Sequence, residues 1–340
     1  MIVSADDAQL LAGPDEHHAS LKFGRMLAAR LAFSLVVLFV LSVVVFAATT
    51  VLPGNVADIV LGQDATPAAR AALVERLHLD RPAPVRYVTW LEGALHLDFG
   101  KSLQSDTPVW PAVADAFGRS LILAAVAGVV MIVGAVLVGL WAGLRVGTLG
   151  DRLFTLLTFG ALSMPEFVLG AILIWLFVIV FPILPALSLV GPDTSLAAWI
   201  TLLVLPVATI VPVTGAYIVR TMRSAVIEVA RADFIEMAAL RGLSPRCIVW
   251  RHILPNALVP MINVLTLNLG WLVGGIVVVE VLFQYPGIGR LLLESAQQRD
   301  IPMVQGAALV IGTVYVTLNL VADVAISFLD PRVGRLSVRP

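Results

Sequence analysis

Few residues in this chain of 340 have the type and spacing to do chemistry, and the most suggestive of them stand in apolar surroundings. Glu166 follows Pro165 inside an apolar run. A proline-broken backbone there should line a cavity, and a carboxylate could meet the ammonium group of a passing solute. A hydrogen-bonded structural carboxylate, or one displaced to the water boundary, fits the same position, so both readings of Glu166 stand. Asp323 and Asn319 share a helix face at a spacing of four residues, but Asp323 lies so near the end of its run that an interfacial structural role is expected. Glu280, close to the end of another run, reads the same way. Gly100-Lys101-Ser102 has the ending of a phosphate-cradling loop, yet Leu95 stands where that motif needs its first glycine and no strand precedes it. The histidines, His17, His18, His78, His96 and His252, all fall outside the apolar runs, and no HExxH pair occurs. Adjacent His17 and His18 have no third ligand nearby, so the expectation is no catalytic residue, no metal site and no cofactor. Cys247 is the single cysteine, which excludes an intrachain disulfide.

The elements that carry these residues are set by the solvent. With 59% hydrophobic and 13% charged residues the chain could not hold its surface in water. Its arginines are scattered between apolar blocks at a net charge of -1, which gives no footprint for nucleic acid. A bilayer core of roughly 30 Å needs about 20 apolar residues in a helix. Uncharged blocks of that length cover 31–52 and 120–144, and polar interruptions mark four more at 153–181, 196–219, 257–283 and 303–329. Six membrane helices are therefore expected. Cytoplasmic loops retain lysine and arginine, and 220–256 alone carries Arg220, Arg223, Arg231, Arg241, Arg246 and Arg251. That bias places both termini in the cytoplasm. The first span is expected to remain as an uncleaved anchor, since its apolar run exceeds the roughly 7 to 15 residues of a signal peptide.

Two segments outside the spans carry helix signals of their own. In 53–118, Thr66-Pro67 reads as an N-cap and first-turn proline for a helix that Arg81-Pro82 stops, and a second helix runs from Pro84 through Tyr87, Trp90 and Leu95. That segment either packs over the pore or forms a docking surface for an external delivery protein. In 220–256, residues 226–241 are helix-compatible, Gly242 sits where a helix end wants positive φ, and Ser244-Pro245 opens a further helix that Pro255 should interrupt. A short helix in water needs something to pack on. It is either part of its own bundle or a lever gripped by a cytoplasmic partner.

In that loop Glu236, Ala238, Gly242, Leu254 and Pro255 are spaced as in the membrane permeases of bacterial ABC importers, and the chain resembles the dipeptide and oligopeptide branch of that family over 23–335. Met237 departs from the alanine of the pattern and His252 from its commoner isoleucine. Further matches are Leu52-Pro53-Gly54, Asp98-Phe99-Gly100 with Ser102, Glu280 with Pro286-Gly287 and Gly289, Asp300-Ile301-Pro302, Asn319, Asp323 and Asp330-Pro331-Arg332. The long segment after the first span resembles the first permease of the two-permease systems.

The resemblance implies an all-α integral membrane fold and a permease of the bacterial cytoplasmic membrane. Its parts would be a cytoplasmic tail 1–22, a first membrane helix 23–52, an extracytoplasmic segment 53–118, a permease core 119–335 with a coupling loop 220–256, and a tail 336–340. It implies a second homologous permease, two cytoplasmic ATPases and an extracytoplasmic binding protein as partners, with no hydrolysis by this chain. Asp233, Glu236, Ala238, Arg241, Gly242 and Pro255 would couple to the ATPases, and Pro165 and Glu166 would belong to the pathway. Relatives of the pattern handle dipeptides, longer peptides, glutathione, metal chelates and some sugars, and peptide is the expected class. The rival readings have weaker support. A self-contained carrier predicts inverted repeats and paired intramembrane charges, and an intramembrane enzyme needs a nucleophile with its base; neither pattern is visible.

Overall fold

Apolar runs of this length can satisfy their backbone in lipid only as helices, and the computed structural model bears that out for residues 14–50, 66, 68, 81–191 and 194–329, which it describes. Side chains at 14–23, 26, 50, 263, 266–274 and 325–329 stand outside that description. In order the helices are α1 (Pro14–Thr50), α2 (Ala83–Leu95), α3 (Val109–Leu144), α4 (Leu149–Ser163), α5 (Glu166–Ile174), α6 (Leu196–Ala230), α7 (Asp233–Leu240), α8 (Pro245–Ile248), α9 (Leu254–Leu282), α10 (Ile288–Gln297) and α11 (Ile301–Leu329). Wide π-turns at Trp175–Val180 and Val249–Ile253 continue α5 and join α8 to α9. Among the described residues the only β contact is an isolated bridge between Lys101 and Pro108.

Four helical stretches there are long and apolar enough to cross a bilayer: Leu27–Thr49, Val109–Leu144, Leu196–Ala230 and Ile301–Val324. The pair Leu149–Ser163 and Glu166–Val180, bent by 110°, makes a fifth if taken as one broken span. The expected span 257–283 falls on α9, part of which lies outside the described side chains.

Small residues let the central helices approach closely, as they must where lipid offers no hydrophobic drive to associate. Ala135, Gly139 and Gly143 recur every fourth residue on α3. A Cβ on Gly139 would fall 2.7 Å from Cβ of Met222, and one on Gly143 would fall 2.6 Å from Cβ of Val226, both on α6. α6 is thus seated on α3, and it packs against α9 as well, around Met131, Ile218, Met222, Val226 and Met261. Pro206 and Pro212 lie inside α6 without ending it. Pro206 has no N–H to return to the carbonyl four residues back, and Ser188 Oγ donates to that carbonyl of Leu202 at 2.7 Å instead.

α1 and α11 pair at one side of this core, joined by Gln305 Nε2 donating to Thr49 Oγ1 at 2.7 Å and by Arg30 bound to Asp323 at 2.5 Å. α2 lies on α1: Tyr87 and Ser42 share a hydrogen bond of 2.8 Å, and the Phe46 ring sits 5.4 Å from Tyr87 and 5.7 Å from Trp90. Both aromatics thus pack on α1 while staying partly exposed. The expected helix after Thr66 lies outside the described residues.

The helices extend beyond the apolar runs that marked them. The tail ending at 22 is helical from Pro14 onward. α3 starts at Val109, before its uncharged run at 120–144, because Val109 and Val113 are already fully buried under α10 and α11. The single helix expected over 226–241 is two, broken at Arg231-Ala232, where Ala232 is extended at φ -75° and ψ 144°. No proline or glycine marks that break. It turns Ile235 and Ala238 back into the core. Pro255, expected to interrupt, sits in the first turn of α9. The π-turn before it absorbs the disturbance, with Leu254 N–H bonded to Val249 O.

Candidate functional site

α7 has one face in the bundle and another exposed. After the break, Ile235 and Ala238 seat against Ile248, Ile253, Met222 and Val226. The opposite face presents Phe234, Met237 and Leu240, exposed at 47%, 53% and 75%. Asp233, Glu236, Arg241 and Gly242 are exposed beside them. Eight residues form too short a helix to stand alone, so the buried pair anchors it to the bundle while the apolar outer face stays exposed. Of the residues named from sequence, Ala238 is the one that points inward. Phe234 was missed, although it recurs with Met237 and Leu240 at three-residue intervals.

The turn after α7 has the geometry the glycine announced. Gly242 lies at φ +80°. Its N–H bonds to Ala239 O at 2.9 Å and that of Leu243 to Ala238 O at 3.3 Å, closing the helix end with paired bonds through a left-handed residue. Ser244 then accepts from Cys247 N at 3.4 Å as the cap of α8. A Cβ on Gly242 would meet nothing within 4 Å, so conformation alone requires the glycine.

Glu166 opens α5 at the 110° break, with Pro165 as its cap residue. Its carboxylate lies over Gly275 of α9, where an added Cβ would fall 2.6 Å from Oε1. Among the residues whose side chains are described nothing donates a hydrogen bond to it, and the side chain is half-buried.

Four other acidic residues, Glu280, Asp300, Asp323 and Asp151, are held by partners within the chain. Glu280 is fully buried. It accepts from Ser120 Oγ at 2.5 Å, Gly289 N at 2.7 Å and Arg290 N at 3.2 Å, while Ser120 Oγ accepts from Ile288 N at 2.8 Å. The carboxylate thus caps the N-terminus of α10, where free amides and the helix dipole favour negative charge. It stands against Gly287, where a Cβ would collide with it. Asp300, just beyond the C-terminal end of α10, takes Ser102 Oγ and Leu103 N, the latter at 3.1 Å. Gly100-Lys101-Ser102 is consequently a structural corner, with Gly100 at φ +75°. Asp323 pairs with Arg30 as described, and Asn319 donates to Tyr315 O at 2.8 Å. Asp151, which sequence reasoning passed over, is held by Arg223 through two bonds of 2.7 and 2.9 Å. No cluster of His, Cys, Asp or Glu that could hold a metal occurs among the described residues.

Comparison with known proteins covers nearly all of this architecture. A probable peptide ABC transporter permease protein of Sinorhizobium fredii is 32% identical over 306 residues, 89% of this chain and 97% of that protein. A dipeptide transport system permease protein of Alkalihalophilus pseudofirmus is 31% identical over 328 residues, again 89% and 97%. A glutathione transport system permease protein of Escherichia coli K12 is 31% identical over 296 residues, 87% of this chain and 94% of that one. Residues 23–124 match the N-terminal component of binding-protein-dependent transport system membrane proteins, and residues 135–335 match the inner membrane component itself. The bent, glycine-seated helix bundle with its outward-facing α7 belongs to the family of binding-protein-dependent transport system inner membrane components.

Proposed function

We propose that this chain forms one half of the pore of an ATP-driven peptide importer, with α7 as the point where energy enters. The observation that carries the reading is the pairing on α7 of two buried anchors with an exposed apolar face, ending in a turn only a left-handed residue can make. Two cytoplasmic ATPase subunits would grip Phe234, Met237, Leu240, Asp233, Glu236 and Arg241. Ala238 would transmit their movement into the bundle, and Pro255, behind its π-turn, into α9. A second homologous permease completes the pore, and a binding protein delivers solute on the outer side. With six spans and the arginine-rich loop 220–256 kept inside, both termini and the tails 1–22 and 336–340 would lie in the cytoplasm, with 53–118 outside. The names of the relatives support a peptide cargo, and Glu166 offers a counter-charge to a peptide amine. Glutathione is the second reading, favoured by the Escherichia coli relative.

The test is uptake of labelled dipeptides, oligopeptides and glutathione into vesicles holding this chain with its partner permease, ATPases and binding protein. Peptide uptake that stops when the binding protein is omitted is expected. Uptake of glutathione alone would transfer the assignment to the second reading.

A further inference from the structure

We infer that Arg223 and Asp151 form the linkage through which α4, and with it the break at Pro165-Glu166, follows the cytoplasmic end of α6. This rests on the reading of α7 as the ATPase docking site.

α4 has almost no apolar seam. Leu153, Leu156 and Leu157 are exposed at 58%, 69% and 63%, and its buried residues are Asp151 and Thr158. α6 reaches it with two arginines instead. Arg223 forms a planar fork with the buried Asp151 at 2.7 and 2.9 Å, and the Arg220 guanidinium lies 4.1 Å from the centre of the Phe159 ring. The fork is built in from both sides. Gly147, at φ +82°, donates its N–H to Asp151 at 3.0 Å, and Thr148 caps α4 while bonding Arg145 O at 2.8 Å. Asp151 is therefore fixed to the turn that follows α3 as well as to α6.

Position along the helices gives the fork its role. From Arg223 to the end of α6 is roughly 10 Å at 1.5 Å per residue, and α7 begins just beyond the break there. From Asp151 to the other end of α4 is roughly 18 Å, and there the chain bends by 110° into Glu166. A displacement of α7 enters the last turns of α6, crosses the fork into α4 and, through the break, moves α5 against α9, shifting the carboxylate over Gly275. Bidentate guanidinium–carboxylate geometry suits this, because it resists rotation as well as separation. Neither residue touches solute. Both are positioning residues.

The experiment uses the complete assembly in nanodiscs and liposomes, with Cys247→Ser removing the native thiol and spin labels at Leu156→Cys on α4 and Ser224→Cys on α6. With Arg223 intact, the inter-label distance should be the same without nucleotide and with ATP trapped. Arg223→Lys, which keeps the charge and loses the fork, should broaden that distribution, and Arg223→Gln should broaden it further. Solute moved per ATP hydrolysed should fall severalfold in the same order. The double variant Asp151→Asn with Arg223→Gln should be no worse than Arg223→Gln alone. Wild-type distances that change between nucleotide states would overturn the inference, as would an Arg223→Gln protein with wild-type distances and stoichiometry. A label at Leu240 separates the two readings: if it is not immobilised on adding the ATPase subunits, the docking assignment fails, whatever the fork does.

Discussion

Substitutions at Gly242 should rank by their tolerance of left-handed backbone and not by size. The site is open, with nothing within 4 Å of an added Cβ, so the whole penalty is the φ of +80°. A non-glycine residue held there costs on the order of 1 to 3 kcal/mol. Asparagine, whose short polar side chain visits this region, belongs at or below the low end, alanine near the low end and valine at the high end. At about 1.4 kcal/mol per tenfold, valine depletes the closed turn roughly ten- to a hundredfold and asparagine by a few-fold. Because the turn lies outside the apolar spans, insertion should not change. The assay is ATP-dependent solute uptake alongside ATPase activity in proteoliposomes carrying matched amounts of Gly242→Asn, Gly242→Ala and Gly242→Val. Uptake per ATP should decline in that order. An asparagine variant as impaired as valine, or a valine variant transporting at the normal ratio, would refute the argument from φ.

Other outcomes follow from the same geometry. Glu166→Gln should reduce uptake of peptides with a free amino terminus while leaving N-acetylated peptides unaffected, measured by competition between the two. Glu280→Gln keeps the shape but turns an amide toward donors at Gly289 and Arg290, and should cost about 1 to 3 kcal/mol, seen as a lower unfolding temperature of the purified protein. Gly139→Leu should drive α3 off Met222 and cost roughly 1 to 3 kcal/mol or more, read as loss of folded protein in the membrane. Arg30→Ala removes a partly exposed pair and should shift stability by less than about 1 kcal/mol in the same melt.

Local physics was legible in the residues. Uncharged runs announced α1 and α3, Gly242 announced its turn, Ser244 its cap, and Pro165 the break before Glu166. What escaped depends on partners far along the chain. Asp151 and Arg223 are 72 residues apart, and Ser120 and Glu280 are 160 apart, so nothing near either member reveals the pair. The break at Arg231-Ala232 has no local breaker, because burial of Ile235 and Ala238 imposes it. The orientation of α7 was invisible for the same reason: Met237 and Ala238 are both apolar, and only the bundle decides which one turns outward. Pro255 misled in the opposite direction, since a π-turn can accommodate a proline that would otherwise interrupt.

The central claim is that this chain is a passive path moved by others through α7. The direct measurement is solute uptake into proteoliposomes containing this chain alone, with its partner permease, and with the complete set of ATPase and binding-protein partners. Uptake only in the complete set, dependent on ATP and abolished by Gly242→Val, is the predicted result. Robust, ATP-independent uptake by the chain alone would contradict it and make the protein a self-contained carrier.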